Sequence, residues 1–214
     1  MLRTSSKALS RTVRLVRIAI FLALVIVGAF VKFPIGIVPV SMQFAFCMFA
    51  GLMLGGTDAF FCILIYIIMG LAGLPVFTAG GGIYYVLKPT FGYILGFLIG
   101  APVCGYIARG FKNSARPNVW RMLAGAFSAL AICYTVGVMY MYLMLNFYVG
   151  SPMSMAKAWM VGCAVFLPTD ATWCVLCSFV TFAVFKRINP VPYSRKYSDE
   201  YVREKVDLHK NEFY

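Results

Sequence analysis

The sequence predicts an all-α integral membrane protein whose six transmembrane helices form one bundle with both termini in the cytoplasm. Of its 214 residues, 62% are hydrophobic and only 12% are charged, and the mean hydropathy is +0.84. Soluble domains carry about 25% charged residues, so this composition excludes a water-facing fold. Asp58 and Asp170 are the only acids before Asp199. We therefore expect a multi-pass protein of the cell membrane.

Six apolar runs account for the predicted helices. A membrane-spanning helix needs about 20 apolar residues, so a chain of 214 residues allows about six spans and leaves no room for a second domain. The second and third runs are near the lower limit of length, and the fifth and sixth exceed what a straight span needs. The runs cover residues 15–33, 40–55, 59–77, 91–108, 119–149 and 159–185.

The basic residues indicate the orientation. If the six runs alternate across the membrane, all of the 19 Lys and Arg except Lys32, Lys88 and Lys157 fall on one side. Cytoplasmic segments retain Lys and Arg, so both termini are predicted to be cytoplasmic. The chain then divides into a basic cytoplasmic segment at 1–14, a six-helix membrane domain at 15–187 and a charged cytoplasmic tail at 188–214.

The composition also argues against several functions. The net charge of +12 belongs to the ends of apolar runs, so no nucleic-acid partner is expected. An intramembrane enzyme is the alternative of a different class, but it needs its catalytic groups together. The only histidine, His209, lies in the tail, and Asp58 and Asp170 are assigned to opposite sides of the membrane. No metal, cofactor or phosphate-loop motif is found, so uphill transport would need a partner that hydrolyses ATP.

Two connections on the side opposite the termini have an unusual composition. Residues 32–43 hold two prolines and a glycine, and residues 73–90 hold three consecutive glycines among aromatic residues. Irregular backbone at membrane depth is tolerated only where protein or a water-filled cavity provides hydrogen bonds for its N–H and C=O groups. We interpret both as ligand-binding loops, although a flexible external turn explains the composition equally well. Their candidate contacts are Ser41, Gln43, Phe77, Gly80, Gly81, Gly82, Tyr84 and Tyr85.

The sixth apolar run is interrupted near Asp170. Counting about 20 residues back from Lys186 places the start of the last membrane helix at Leu167, with a proline in its first turn. Asp170 is then either a helix cap or, because an ionisable group among apolar spans is costly, a functional group. As the only acid outside the predicted cytoplasmic elements, Asp170 is the first candidate for a substrate contact.

Four motifs occur in order along the chain: Pro-Val-Ser-Met-Gln at 39–43, Gly-Leu-Pro-Val-Phe at 73–77, Pro-Thr-Phe-Gly-Tyr-Ile-Leu-Gly-Phe at 89–97 and Phe-Leu-Pro-Thr-Asp at 166–170. Together they resemble the BioY family, the biotin-binding S components of energy-coupling factor (ECF) transporters, over about residues 18–185. The resemblance implies a compact six-helix S-component bundle that captures biotin in its external loops and cavity. It also implies partners, namely a transmembrane energy-coupling protein and cytoplasmic ATPase subunits.

Two positions depart from the family pattern. Trp173 stands where the family usually has Lys, three residues after the acid, and Lys88 stands where the family usually has Gly. In one hypothesis Lys88 replaces the missing cation by pairing with Asp170 or with a ligand carboxylate. In another, the indole N–H of Trp173 donates to a ligand carbonyl. These departures keep lipoate and dethiobiotin as alternative ligands.

The chemistry of biotin suggests a role for each candidate. Biotin has ureido N–H donors, and Asp170 is expected to accept from them, while Ser41 and Gln43 make adaptable polar contacts. The Ala19-xxx-Ala23 spacing resembles the small-residue pattern by which S components dock on the coupling protein. The apolar wall is expected from Phe77, Tyr84, Tyr85, Tyr93 and Trp173.

Overall fold

A helical bundle makes up nearly all of the described part of the chain. The computed structural model describes residues 2–33, 40–110 and 118–188. Two-residue strands β1 (Lys32–Phe33) and β2 (Val40–Ser41) pair antiparallel, a 3-10 turn lies at Ile83–Leu87 and a π-helical turn at Met160–Ala164. The α-helices are α1 (Leu2–Phe30), α2 (Gln43–Leu54), α3 (Gly56–Leu71), α4 (Phe91–Arg109), α5 (Val119–Phe147), α6 (Met155–Trp159) and α7 (Leu167–Ile188).

Four of the described helices are long and apolar enough to cross a membrane. They are the Arg11–Phe30 part of α1, the whole of α4 and α5, and the Leu167–Arg187 part of α7. α2 and α3 are also apolar, but they have only 12 and 16 residues. At 1.5 Å per residue they measure about 18 and 24 Å, less than the ~30 Å hydrocarbon core. The predicted all-helical fold is confirmed, and two of the predicted helices are shorter than a full span.

Small residues bring α4 and α5 into close contact. A Cβ on Gly96 would lie 2.8 Å from the Cα of Cys133, and a Cβ on Gly100 would lie 3.1 Å from the carbonyl oxygen of Ala129. Any side chain at Gly96 would therefore push the two helices apart. The glycine spacing along α4 serves packing inside the chain.

α2 and α3 meet at a sharp turn. Gly55 between them has φ +87°, a left-handed conformation that favours glycine. A Cβ on Gly105 of α4 would lie 2.4 Å from the backbone nitrogen of Gly56, so α4 crosses this turn in direct backbone contact. The guanidinium of Arg109 donates to three carbonyl oxygens in the last turn of α2 and caps that helix.

The β1–β2 ribbon marks one end of the bundle, which we call the ribbon end. It pairs Lys32 with Ser41. The ammonium of Lys32 also donates to the carbonyl oxygen of Thr78, which ties the ribbon to the loop between α3 and α4. In this first connection, Lys32, Phe33, Val40 and Ser41 are extended and not helical, Gln43 already begins α2, and residues 34–39 lie outside the described residues.

The loop of residues 73–90 is also irregular, as predicted. Phe77 and Gly80 exchange two backbone hydrogen bonds of 3.0 and 3.2 Å, which close a tight turn. The 3-10 turn then leads into α4. This loop, called the glycine loop below, folds over the ribbon end of the bundle.

The structure bears differently on the predicted boundaries of the membrane domain and of its last helix. α7 begins at Leu167, as predicted. α1 continues without a break across residues 14 and 15, so the boundary between a basic segment and the membrane domain stays a prediction. The predicted tail lies outside the described residues from 189 onward.

Candidate functional site

A cleft that is partly open to solvent lies at the ribbon end, and the space within it, counted together with the solvent at its mouth, is about 580 Å³. Its walls are mainly apolar and aromatic, with several hydroxyl groups and one carboxylate. The ribbon, the glycine loop and four helices contribute its lining, which consists of Ser41, Gln43, Phe44, Thr78, Tyr85, Thr90, Tyr93, Ile94, Phe97, Cys133, Tyr134, Phe166 and Asp170.

Asp170 supplies the carboxylate of the cleft. The hydroxyl of Tyr134 on α5 donates to Asp170 Oδ2 at 2.7 Å. The backbone N–H of Asp170 donates to the carbonyl oxygen of Phe166 at 3.0 Å, so the residue lies within the first turn of α7 and not at its cap. The carboxylate therefore lines the cleft beside a neutral partner, and in that position it can accept hydrogen bonds from the N–H groups of a ligand.

Two predicted tyrosines line the cleft with their hydroxyl groups already bonded. Tyr85 is 2% exposed, and its hydroxyl lies 2.9 Å from Thr78 Oγ1. The hydroxyl of Tyr93 donates to the carbonyl oxygen of Gly162 in the π-helical turn at 2.7 Å. These bonds fix the orientation of both rings, so the tyrosines act as rigid walls of the cleft.

The polar pair predicted at the entry of α2 also lines the cleft. Gln43 is 3% exposed, and its Nε2 donates to the hydroxyl of Tyr66 at 3.1 Å. That hydroxyl in turn donates to the carbonyl oxygen of Val76 at 2.9 Å. Ser41 lies on β2 at the edge of the same cleft. The amide group of Gln43 thus connects the cleft wall to the base of the glycine loop.

Three of the predicted wall residues lie outside the cleft lining, namely Trp173, described below, and Phe77 and Tyr84. Phe77 is 1% exposed and packs between Tyr66 and Tyr85, with ring centroids 5.2 and 4.5 Å away. It supports Tyr85 from behind. Tyr84 is 81% exposed and is absent from the lining. In this structure neither ring forms part of the cleft wall.

The glycine run shapes the loop and does not line the cleft. Gly80 and Gly82 have φ of +102° and +105°, conformations that side chains rarely adopt. A Cβ on Gly81 would lie 2.1 Å from the carbonyl oxygen of Leu74. The N–H of Gly82 donates to the carbonyl oxygen of Gly70 at 2.7 Å. The glycines therefore allow the loop backbone to pack closely against the backbone of Leu74 and Gly70, and not against the cleft.

The two positions that depart from the family pattern lie outside the lining. Lys88 Nζ donates to the carbonyl oxygen of Ala79 at 3.0 Å and lies 4.8 Å from the ring centroid of Tyr85. The hypothesised pairing of Lys88 with Asp170 is not observed. Trp173 packs partly buried against the hydrophobic core. No Lys or Arg is among the described residues that line the cleft.

Several lining residues escape the sequence analysis. Thr90, Ile94, Phe97 and Phe166 lie inside the quoted motifs, so attention to every motif position would find them. Tyr134 has no such signal, because it lies in the middle of an apolar run and meets Asp170 only through the packing of α5 against α7. The others are Phe44, Thr78 and Cys133.

The predicted docking residues lie on a different surface. Ala19 and Ala23 are exposed on α1, one turn apart. Their exposed side leaves room for a second helix to approach. Among the described residues, no three His, Cys, Asp or Glu side chains lie close enough to hold a metal ion.

Comparison with known proteins agrees with this architecture. A sequence model of the BioY family matches residues 3–190. A solved structure described as the S-component for biotin from an ECF-type ABC transporter superposes with a TM-score of 0.65, covering 83% of this chain and 93% of the other at 25% identity.

Two relatives show the same relationship in sequence. A probable biotin transporter BioY from Lysinibacillus sphaericus is 44% identical over 151 residues, which are 71% of this chain and 76% of the relative. A biotin transporter BioY from Thermotoga maritima is 33% identical over 174 residues, which are 81% of this chain and 96% of the relative. The chain therefore belongs to the BioY family.

Proposed function

We propose that this chain is the S component of an ECF-type biotin transporter, and that the cleft at the ribbon end is its biotin site. The relatives named as biotin transporters and the solved biotin S component support the ligand. The observation that carries the site is the Asp170 carboxylate, held by Tyr134 at 2.7 Å in a mainly apolar cleft. The protein takes up a vitamin across the cell membrane and performs no chemical step on it.

The ureido ring of biotin is the part that Asp170 recognises. Its N–H groups donate to the carboxylate, while Tyr134 keeps Oδ2 engaged and so orients the group. A hydrogen bond to a charged acceptor contributes about 1.5–3 kcal/mol when water is excluded. The apolar thiophane ring and chain pack against Tyr93 and Phe97 of α4, whose side chains line the cleft.

The carboxylate of biotin is bound near the glycine loop. Hydroxyl groups of Ser41, Thr78 and Thr90 line that side of the cleft. Lys88 is the nearby cation, because its ammonium lies over the ring of Tyr85, a lining residue. In our proposal it leaves the carbonyl oxygen of Ala79 and turns to the ligand. Trp173, three residues after Asp170, remains the alternative donor.

Uptake requires an orientation and partners. We propose six membrane passes with both termini cytoplasmic, in which the short helices α2 and α3 count as two of the passes. The uneven distribution of Lys and Arg supports this orientation. The exposed pair Ala19 and Ala23 supports docking of α1 on a transmembrane energy-coupling protein, which links the chain to cytoplasmic ATPase subunits.

The ligand is tested by what the purified protein retains. The detergent-solubilised protein is denatured, and the released small molecules are identified by mass spectrometry. We expect biotin, and we expect unlabelled biotin to displace radiolabelled biotin at lower concentration than dethiobiotin or lipoate does. Retention of lipoate, or displacement by lipoate at the lower concentration, would overturn the assignment of the ligand.

A further inference from the structure

Four charged side chains meet at the end of the bundle opposite the cleft, which we call the arginine end. They are Arg14 and Arg17 on α1, Asp58 on α3 and Arg109 at the end of α4. Arg14 and Arg17 lie one turn apart on α1, and Arg109 reaches the last turn of α2, which directly precedes the helix that carries Asp58. Among these four described side chains, three are cations and one is an anion.

Three members of this cluster are satisfied by the chain. Arg14 Nη2 lies 2.5 Å from Asp58 Oδ1, and Arg14 Nε donates to the same oxygen at 2.8 Å. Arg109 caps α2 through its carbonyl oxygens, and its guanidinium lies 4.9 Å from the ring centroid of Phe185. Arg14 therefore compensates the charge of Asp58, and Arg109 caps the end of α2.

Arg17 is the exception. Its Nε is buried and has no hydrogen-bond partner among the described residues, although the side chain as a whole is partly exposed. A buried donor on a cation is costly unless an anion or other acceptor reaches it. Arg109, another cation at this end of the bundle, offers no acceptor, because a guanidinium has only donors. The Nε atom itself is buried, but the residue is partly exposed, so an anion from outside the chain can reach the charged side chain.

We propose that Arg17 binds the phosphate of an anionic phospholipid. A guanidinium matches phosphate with two parallel N–H donors. The flanking residues favour a lipid over a free phosphate, because Val13, Val16 and Ile20 on the same helix are 49%, 51% and 53% exposed. This apolar surface accommodates acyl chains directly beside the cation. The site lies at the far end from the biotin cleft and is independent of the proposed ligand.

The test measures lipid binding by native mass spectrometry on the detergent-purified protein. The lipids are palmitoyl-oleoyl phosphatidylglycerol and the phosphatidylcholine with the same acyl chains. We expect the wild-type protein to prefer phosphatidylglycerol, and we expect Arg17→Gln to reduce that preference about tenfold, the effect of losing a hydrogen bond between charged groups. Arg11→Gln is the matched control, since Arg11 is an exposed cation on the same helix, and it should leave the preference unchanged.

Several results would overturn the proposal. One is an equal loss in Arg17→Gln and Arg11→Gln, which would mean diffuse surface charge. Another is displacement of the lipid by millimolar glycerol 3-phosphate, which would mean a site for soluble phosphates. A third is the lack of any phosphatidylglycerol preference in the isolated wild-type chain. That result would favour an acidic group of a partner protein as the anion that Arg17 binds.

A second measurement needs no variant. Phenylglyoxal modifies accessible guanidinium groups, and peptide mass spectrometry reads the modification at each arginine. We expect phosphatidylglycerol, and not phosphatidylcholine, to slow the modification of Arg17 while Arg11 reacts at the same rate in both lipids. Equal rates at Arg17 in the two lipids would contradict the proposal even if Arg17→Gln failed to fold.

Discussion

The two ends of the bundle each hold one acid of the membrane domain, and the partners of the two acids differ. Asp58 at the arginine end is 3% exposed and forms an ion pair with Arg14. Asp170 at the ribbon end accepts a hydrogen bond from the neutral hydroxyl of Tyr134 and lines a cleft. Among the residues that the structure describes, Asp58 is paired with a cation, whereas Asp170 accepts from a neutral donor.

In our proposal, this difference distinguishes a structural acid, Asp58, from a binding acid, Asp170. An ion pair compensates the charge of a buried carboxylate but occupies its strongest acceptor positions. A phenol orients the carboxylate without cancelling its charge, so the charge remains for a ligand that brings N–H donors. Substitutions at the two ends should therefore change different measured quantities, namely stability at Asp58 and biotin affinity at Asp170.

The largest effect is expected for Asp170→Asn. Tyr134 can still donate to the amide oxygen, so folding should be retained, but the amide NH₂ would face the ureido N–H groups donor to donor. We expect biotin affinity to fall about a hundredfold, or about 3 kcal/mol, in isothermal titration calorimetry. The elution volume in gel filtration is the control for folding. Wild-type affinity in a folded variant would exclude Asp170 from the binding site.

The complementary change is Asp58→Asn, which should lower stability and spare binding. It removes the anion that compensates Arg14, whose side chain is 30% exposed and so keeps part of its hydration. We therefore expect a loss of about 1–2 kcal/mol, less than for a fully buried pair. Thermal unfolding in the same detergent measures the loss. A large decrease in biotin affinity with unchanged unfolding temperature would reverse the roles of the two acids.

A smaller effect is expected for Tyr134→Phe. The ring keeps its packing, but the carboxylate of Asp170 loses the donor that orients it, which corresponds to about 1 kcal/mol or roughly fivefold in biotin affinity. Tyr140→Phe on the same helix is the matched control, because its hydroxyl bonds to the carbonyl oxygen of Val86 outside the lining. If both variants lose affinity equally, a general effect of α5 explains the result and the positioning role fails.

Much of the fold could be predicted from the sequence because the membrane restricts the possible structures. Apolar runs must form helices, and clusters of proline and glycine between the runs mark the irregular connections. The start of α7 at Leu167 and the irregular glycine loop both follow from such local signals. The short lengths of α2 and α3 do not, because apolar residues of the adjoining loops extend the runs beyond the helices.

The site is predictable only where a signal is local. Asp170 is conspicuous as a lone acid, and Ser41 and Gln43 are polar residues beside prolines. Tyr134 could not be predicted, because its role depends on a hydrogen bond to Asp170, which lies 36 residues away on another helix. Phe77 is the opposite case, because the sequence predicts it as a wall residue and the structure places it behind Tyr85. An aromatic residue in such a loop can support the loop without lining the cleft.

The smallest and sharpest test concerns the two positions that depart from the family pattern. Lys88 lies over Tyr85 and is held by the carbonyl oxygen of Ala79, outside the cleft lining. If it turns to the carboxylate of bound biotin, Lys88→Gln should weaken binding about threefold, the modest effect of an exposed ion pair. Adding Trp173→Lys should then restore part of the affinity, because it returns a cation one helical turn from Asp170.

Two controls separate a direct contact from an indirect effect. Lys157→Gln, which removes an exposed cation on the same predicted side, should have no effect. Biotinol, which lacks the carboxylate, gives the decisive control, since its affinity should be the same with and without Lys88. If Lys88→Gln weakens biotin and biotinol equally, the lysine acts through the glycine loop and not on the ligand carboxylate, and Trp173 becomes the better candidate.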